Sequence, residues 1–214
     1  MSPRAWVVCC LILSAIGWWY SPVSPRPLHF PEPADGASVD CPMPPRVVDG
    51  AEPLQTAVPA TLRPFQLEPG AVTPLAGFSI DGRVLSRRDY RMGREAEFSP
   101  TDLAIGWGRM REDTVLSQLD VTQEVRFLTY RYFGKPPIPV DEMQRSVGNL
   151  HIIPANAEVA RALKRVRKDQ RVRVDGWLVR VETDEGMRWD SSMSRTDSGK
   201  GACELVYACS IQAY

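Results

Sequence analysis

The first patterned stretch of the chain is an unbroken apolar run. After Met1-Ser2-Pro3-Arg4, residues 5–20 carry no charge: Trp6, Val7, Val8, Leu11, Ile12, Leu13 and Ile16 lead into Trp18-Trp19-Tyr20. Sixteen helical residues span about 24 Å, a little short of a hydrocarbon core of about 30 Å. The aromatic triplet suits a membrane–water interface. The best small-x-small cleavage candidate is Ala15-Ile16-Gly17, a poor one. The pattern therefore predicts an uncleaved membrane helix over residues 1–20, with a cleaved signal peptide or a buried helix as alternatives. Arg4 and the terminal amine precede the run, which by the positive-inside rule leaves the rest of the chain outside the cytoplasm.

From residue 21 to 76 the periodicity disappears. Thirteen of the nineteen prolines lie between residues 21 and 80. Proline removes a backbone donor and locks φ, so the spacing predicts an extended linker, about 40–45 Å in mean reach as a coil. Its sharper reading is a docking strip for a proline-binding partner.

Residues 77–214 have the pattern of a folded domain. Phe78 to Leu85 reads as two short strands around an Asp81-Gly82 turn. Ser99-Pro100-Thr101-Asp102 reads as a helix start, continuing through Leu103, Ile105 and Trp107 to about Met110. A short helix is expected over 114–119 and a strand over 125–133. Asn156 caps an expected helix over 157–166, with Val159, Ala160, Leu163 and Val166 on its buried side. Val172 and Val174 alternate in one phase; Trp177, Val179 and Val181 alternate in the other, so a bulge near Asp175-Gly176 is expected. Two further strands run over 187–193 and 203–209. The fold class is α+β: a small, mainly antiparallel, partly closed β-barrel with two or three short helices, one preceding the last three strands. That outline resembles an OB-type barrel.

Composition adds exclusions. Twenty-six basic side chains balance twenty-six acidic ones, which argues against a general nucleic-acid binder unless the domain is cytoplasmic. Only one segment is apolar enough to enter a bilayer, which excludes a polytopic transporter. Arginine outnumbers lysine 22 to 4, the bias of a GC-rich bacterial genome. The five cysteines form no Cys-x-x-Cys pair, and with only His29 and His151 available no metal site is expected. No motif calls for a cofactor. Cys203 and Cys209 are too far apart on one strand to bridge; Cys41 can reach either, but free thiols are the favoured state.

Four places carry candidate chemistry. His151 is the folded domain's only histidine and a candidate general base, with Ser191 or Ser192 as nucleophile; no nucleophile elbow supports it, and a structural role is favoured. Residues 191–201 gather hydroxyls, two glycines, Arg195 and Lys200 into a candidate anion cradle without Walker A spacing. Residues 161–173 hold seven basic side chains, among them Arg165, Arg167 and Lys168; Arg87, Arg88, Arg91 and Arg94 form a second basic group. Both suit an anionic polymer, with Trp177 and Trp189 as possible stacking platforms. Gly106-Trp107-Gly108 requires close packing or helix termination, and makes Trp107 a pocket candidate.

These features lead to the expectation of a bacterial inner-membrane protein with a non-catalytic binding or assembly domain on the periplasmic side. Its partners would be the membrane, through residues 5–20, and a protein or an anionic envelope polymer. A hydrolase working through His151 and an anionic-polymer binder are the competing expectations.

Overall fold

The computed structural model describes residues 2–21, 24, 27–34, 36, 39–194 and 203–214. In chain order the elements are helix α1 (Pro3–Trp19), strands β1 (Leu54–Thr56), β2 (Phe65–Leu67) and β3 (Gly70–Asp89), helix α2 (Arg94–Phe98), strand β4 (Thr101–Gly106), a 3-10 turn (Gly108–Arg111), helix α3 (Asp113–Leu116), strands β5 (Asp120–Glu124) and β6 (Phe127–Arg131), helix α4 (Val140–Arg145), strand β7 (Val147–Pro154), helix α5 (Ala157–Arg165), and strands β8 (Arg171–Glu182), β9 (Arg188–Asp190) and β10 (Glu204–Ala213). The protein is α+β with a mixed sheet.

Five strands pair in a ring. β3 pairs with β4, β4 with β7, β7 with β10, β10 with β8, and β8 returns to β3. Only the β7–β10 pairing is parallel, and α5 makes the crossover from β7 to β8. β3 closes the ring because it is long and bent: residues 71–83 pair with β8 and residues 83–89 with β4. Its register shifts at Pro74/Ala76 and at Val84/Ser86, each shift bending the strand as a bulge does. Inside lie Phe78, Ile80, Leu103, Ile105, Leu150 and Ile152, with Val159 and Leu163 of α5 closing one end.

Several expectations change here. Asp81-Gly82 is not a turn; both residues lie within β3. A Cβ on Gly82 would stand 2.5 Å from the Gly106 carbonyl oxygen, so glycine serves a close approach of backbones. The helix expected from Ser99 is strand β4, buried on both faces along all six residues. Alternation was masked there because the outward Ala104 is covered too, and tertiary pairing overrides the capping signal. The strand expected over 125–133 is the second arm of a hairpin, β5–β6. The bulge near Asp175-Gly176 lies on the facing strand, between Ala208 and Ser210. The two valine phases of β8 point to different cores: Val172, Val174 and Leu178 inward, Trp177, Val179 and Val181 outward under further chain. The α5 expectation holds: the Asn156 carboxamide oxygen accepts from the amides of Glu158 (2.9 Å) and Val159 (3.0 Å).

The proline-rich segment departs furthest from expectation. β1, β2 and the start of β3 all lie within residues 54–76, and residues 41–50 lie across the outer face of β3 and β8. Prolines offer carbonyls but no N–H, and the barrel supplies donors: Trp177 Nε1 to the Pro42 carbonyl (2.9 Å) and Arg173 Nη1 to that of Val47 (2.8 Å). The Val47 amide donates to Ser79 Oγ, whose hydroxyl donates to the fully buried Asp175 (2.6 Å). Arg46 pairs with the same carboxylate at 3.1 Å. A Cys41–Cys209 disulfide, Cα atoms 5.5 Å apart, fastens the segment to β10. The favoured expectation of free thiols at both positions is therefore corrected. Residues 41–76 are thus attached to the barrel by hydrogen bonds, strand pairing and a disulfide.

The expected membrane-spanning helix is also corrected. α1 has 17 residues, about 25 Å, and among the described residues no helix is long and apolar enough to cross a membrane. Its apolar side chains are exposed all round, and none is buried against the domain.

Reduction of the Cys41–Cys209 disulfide, or Cys41→Ser, should lower stability by roughly 2–5 kcal/mol, because the bridge closes a long loop. Thermal unfolding with and without reductant measures it; an unchanged midpoint would show that the strap is held by its hydrogen bonds alone.

Candidate functional site

A polar cluster around the fully buried Asp102 and the buried His151 sits on the outer face of β4 and β7. Leu103, Ile105, Leu150 and Ile152 point into the ring, so by the two-residue period of a strand Asp102, Asn149 and His151 point out. Asp102 and His151 are register partners on adjacent strands. His151 Nδ1 lies 2.8 Å from Asp102 Oδ1, an ion-pair distance without hydrogen-bond alignment. Asp102 is fully buried, and its Oδ2 has no hydrogen-bond partner among the described residues.

The insertion between β4 and β7 covers this face. It carries its own small core of Met110, Val115, Ile138 and Met143. The β5–β6 hairpin turns through Val125 (φ 48°) and Arg126 (φ 65°), both in the left-handed region that a β-branched valine avoids. Such residues cost on the order of 1–3 kcal/mol each and persist where surroundings hold them. Arg126 is held through both its guanidinium and its backbone. Nη1 pairs with Asp102 Oδ1 (2.8 Å) and Nη2 donates to the Ser99 carbonyl (3.0 Å). Its amide donates to the Tyr90 hydroxyl (3.0 Å), and its carbonyl accepts from Asn149 Nδ2 (2.7 Å). The guanidinium lies 4.1 Å from the centre of the Tyr90 ring and 5.5 Å from that of Trp189. Trp189 in turn packs against His151, ring centres 4.8 Å apart. Burial, and then the Asp102 charge, push the Tyr90 phenol above its ordinary value of 10.0.

Asp102 and His151 stand at the distance of a relay's orienting pair but lack the hydrogen bond such a pair needs. Among the described residues no nucleophile is brought to them. Ser191 Oγ donates to the Ser192 carbonyl and accepts from the Leu205 amide, while Ser192 Oγ donates to the Ser194 carbonyl. Among the described residues no hydroxyl hydrogen-bonds to His151. The geometry is that of an aromatic-walled cationic lock on a buried carboxylate.

The other sequence candidates fall as follows. Arg195 and Lys200 lie outside the described residues. The loop carrying them is rooted beside the cluster: Ser192 N donates to the Cys203 carbonyl (2.9 Å), and Cys203 Sγ is 3.7 Å from the Arg126 carbonyl. Trp107 is buried in the barrel core, against the pocket expectation. Its neighbours explain themselves: a Cβ on Gly106 would strike the Met110 carbonyl, and Gly108 has φ +52°. Trp177 and Trp189 are packed rather than presented for stacking. Arg165, Arg167 and Lys168 are exposed at the end of α5 and just beyond it. Of the four in the second basic group, Arg87 pairs with Asp89 (2.9 Å) and donates to the Leu163 and Val166 carbonyls, and Arg94 pairs with Glu185 (2.9 Å).

Sequence reasoning missed Asp102, Arg126, Tyr90 and Asn149. The available signal was polar residues interrupting apolar strands, as in Thr101-Asp102-Leu103 and Asn149-Leu150-His151. Comparison with protein-family models, curated proteins and solved structures finds no match to this chain.

Arg126→Ala should cost roughly 3–5 kcal/mol by leaving Asp102 buried without its arginine. The double variant Arg126→Met/Asp102→Leu should recover most of that loss in urea unfolding. If Arg126→Ala is neutral, the lock carries no stability.

Alkaline stability gives a second check. Burial raises the phenols of Tyr90, Tyr130 and Tyr207 in the folded state. The folded protein then holds protons that the unfolded chain releases, so stability is full below pH 10 and falls as pH rises above it. Tyrosinate absorbance should show these phenols ionising only with unfolding.

Proposed function

We propose that the protein is an extracytoplasmic binding or assembly module, associated with a membrane through residues 5–20 and without a catalytic role. The observation that carries this reading is the Cys41–Cys209 disulfide. Structural disulfides persist in oxidising compartments and are rare in the cytosol. α1 supports it independently: an all-round apolar helix with no face buried by its own domain calls for an apolar phase elsewhere. In a bacterial cell these together favour the periplasmic side of the inner membrane, with secretion after cleavage of residues 1–20 as the alternative.

The finer fold reading is an OB-type barrel. The five-stranded ring and the helix between its third and fourth strands in chain order support it. A binding role, rather than the His151 hydrolase, is favoured by how His151 is used: it is packed against Trp189 and set beside an aspartate already claimed by Arg126.

Alkylation of intact cells before lysis, then fractionation and peptide mapping, tests the compartment. The expected result is a membrane-fraction protein whose Cys41 and Cys209 remain linked and unalkylated. Alkylated Cys41 and Cys209 in native protein would place the domain in the cytoplasm and end this reading.

A further inference from the structure

Most cations of the domain are neutralised locally. Arg83, Arg87, Arg94, Arg126, Arg173 and Arg188 each have a carboxylate at ion-pair distance. The exposed side of α5 and the residues just after it differ. Arg161, Lys164, Arg165 and Lys168 are exposed and have no carboxylate partner among the described residues. Arg167 spends one nitrogen on the Lys164 (2.6 Å) and Val166 (3.0 Å) carbonyls and keeps its charge outward. Asp169, next to Lys168, faces Arg83 at 3.6 Å instead, and Glu158, the one acid of α5, lies in its first turn and makes no ion pair with Arg161 among the described residues. Val159, Ala160 and Leu163 are buried against the barrel, so the cationic side cannot turn away from solvent.

The chain leaving α1 arrives at this surface. Phe30 packs against the barrel core, as does Ala162 of α5, and Lys164 Nζ stands 5.2 Å from the centre of the Phe30 ring. Phe30 is eleven residue steps beyond Trp19, a reach of at most about 40 Å. Residues 28–33, Gly36 and Val39, with the first turns of α5, also enclose a cleft of about 620 Å³, with Arg161 and Lys164 on its wall. Wherever α1 enters an apolar layer, this tether lets the exposed cations of α5 reach the layer's surface.

We propose that the cationic side of α5 is a second membrane contact, docking on anionic lipid headgroups while residues 5–20 enter the apolar layer. The inference rests on the membrane association proposed above. Binding of an interfacial helix scales with the apolar area it buries plus the attraction of nearby cations to anionic lipids, and the polybasic side of α5 supplies that second contribution. Each Lys or Arg near an anionic surface multiplies partitioning by roughly fivefold, and the gain is screened beyond about 10 Å at 0.1 M salt.

The test uses the full chain and vesicles of phosphatidylcholine, with or without phosphatidylglycerol, at low and high salt. The wild type should bind both, with phosphatidylglycerol tightening binding by on the order of a hundredfold at low salt. High salt should remove that gain without any substitution. Arg161→Gln/Arg165→Gln/Lys168→Gln should remove most of it, because only Lys164 and Arg167 of the patch remain, while leaving binding to phosphatidylcholine and the thermal midpoint unchanged. Equal, salt-independent binding to both vesicles would overturn the α5 contact yet leave the membrane reading standing. Binding to neither would bring down that reading itself. A gain retained by the triple variant would assign it to other residues. Tighter binding to a single-stranded oligonucleotide than to phosphatidylglycerol vesicles would overturn the lipid assignment.

Discussion

Ring closure by β3 is the constraint on which the other features depend. One continuous strand pairs with β8 along residues 71–83 and then with β4 along 83–89. A flat strand cannot serve two neighbours in this way, and the register shifts at Pro74/Ala76 and Val84/Ser86 bend it toward both. Closure also demands that backbones meet closely at the crossings. That is why Gly82 lies against Gly106, and why Gly176 lies against the Tyr207 carbonyl. The ring in turn buries Phe78, Ile80 and Leu103 without leaving an open edge between β3 and β8.

A closed ring has an outside that is still partly apolar, and the chain covers it twice. The strap of residues 41–50 and the strands after it cover the β3–β8 side around Trp177. The insertion between β4 and β7 covers the opposite side around Ala104 and Met110. Each cover is fastened by a buried carboxylate: Asp175 holds Ser79 and Arg46 under the strap, and Asp102 holds Arg126 under the insertion. Buried pairs of this kind are poor sources of net stability, but removal of one member is costly, so they favour one arrangement of each cover.

The charge pattern follows the same division. Arginines near covers and edges are matched by Asp or Glu, which accounts for much of the zero net charge. The surface of α5 is left positive. This local imbalance is invisible in the total, because it is offset elsewhere by exposed acids such as Glu95, Glu97 and Glu124, which have no ion-pair partner among the described residues.

The sequence by itself determined the local elements whose signals are local. The Asn156 cap, the α5 face of Val159, Ala160 and Leu163, and the long β8 strand could be read from neighbouring residues alone. So could the apolar character of residues 5–20, though not a helix of spanning length. The tertiary structure decided everything that depends on distant partners. Ser99-Pro100 signals a helix start, yet β4 is a strand because β3 and β7 flank it. Asp81-Gly82 signals a turn, yet the chain runs straight because Gly106 fills the space beside it. Proline content signals a free linker, yet Trp177, Arg173 and Cys209, more than 120 residues away, hold it. The meeting of Asp102, Arg126 and His151 is of this second kind. No spacing encodes it, because strand register and the return of the hairpin bring those charges together only once the ring has closed.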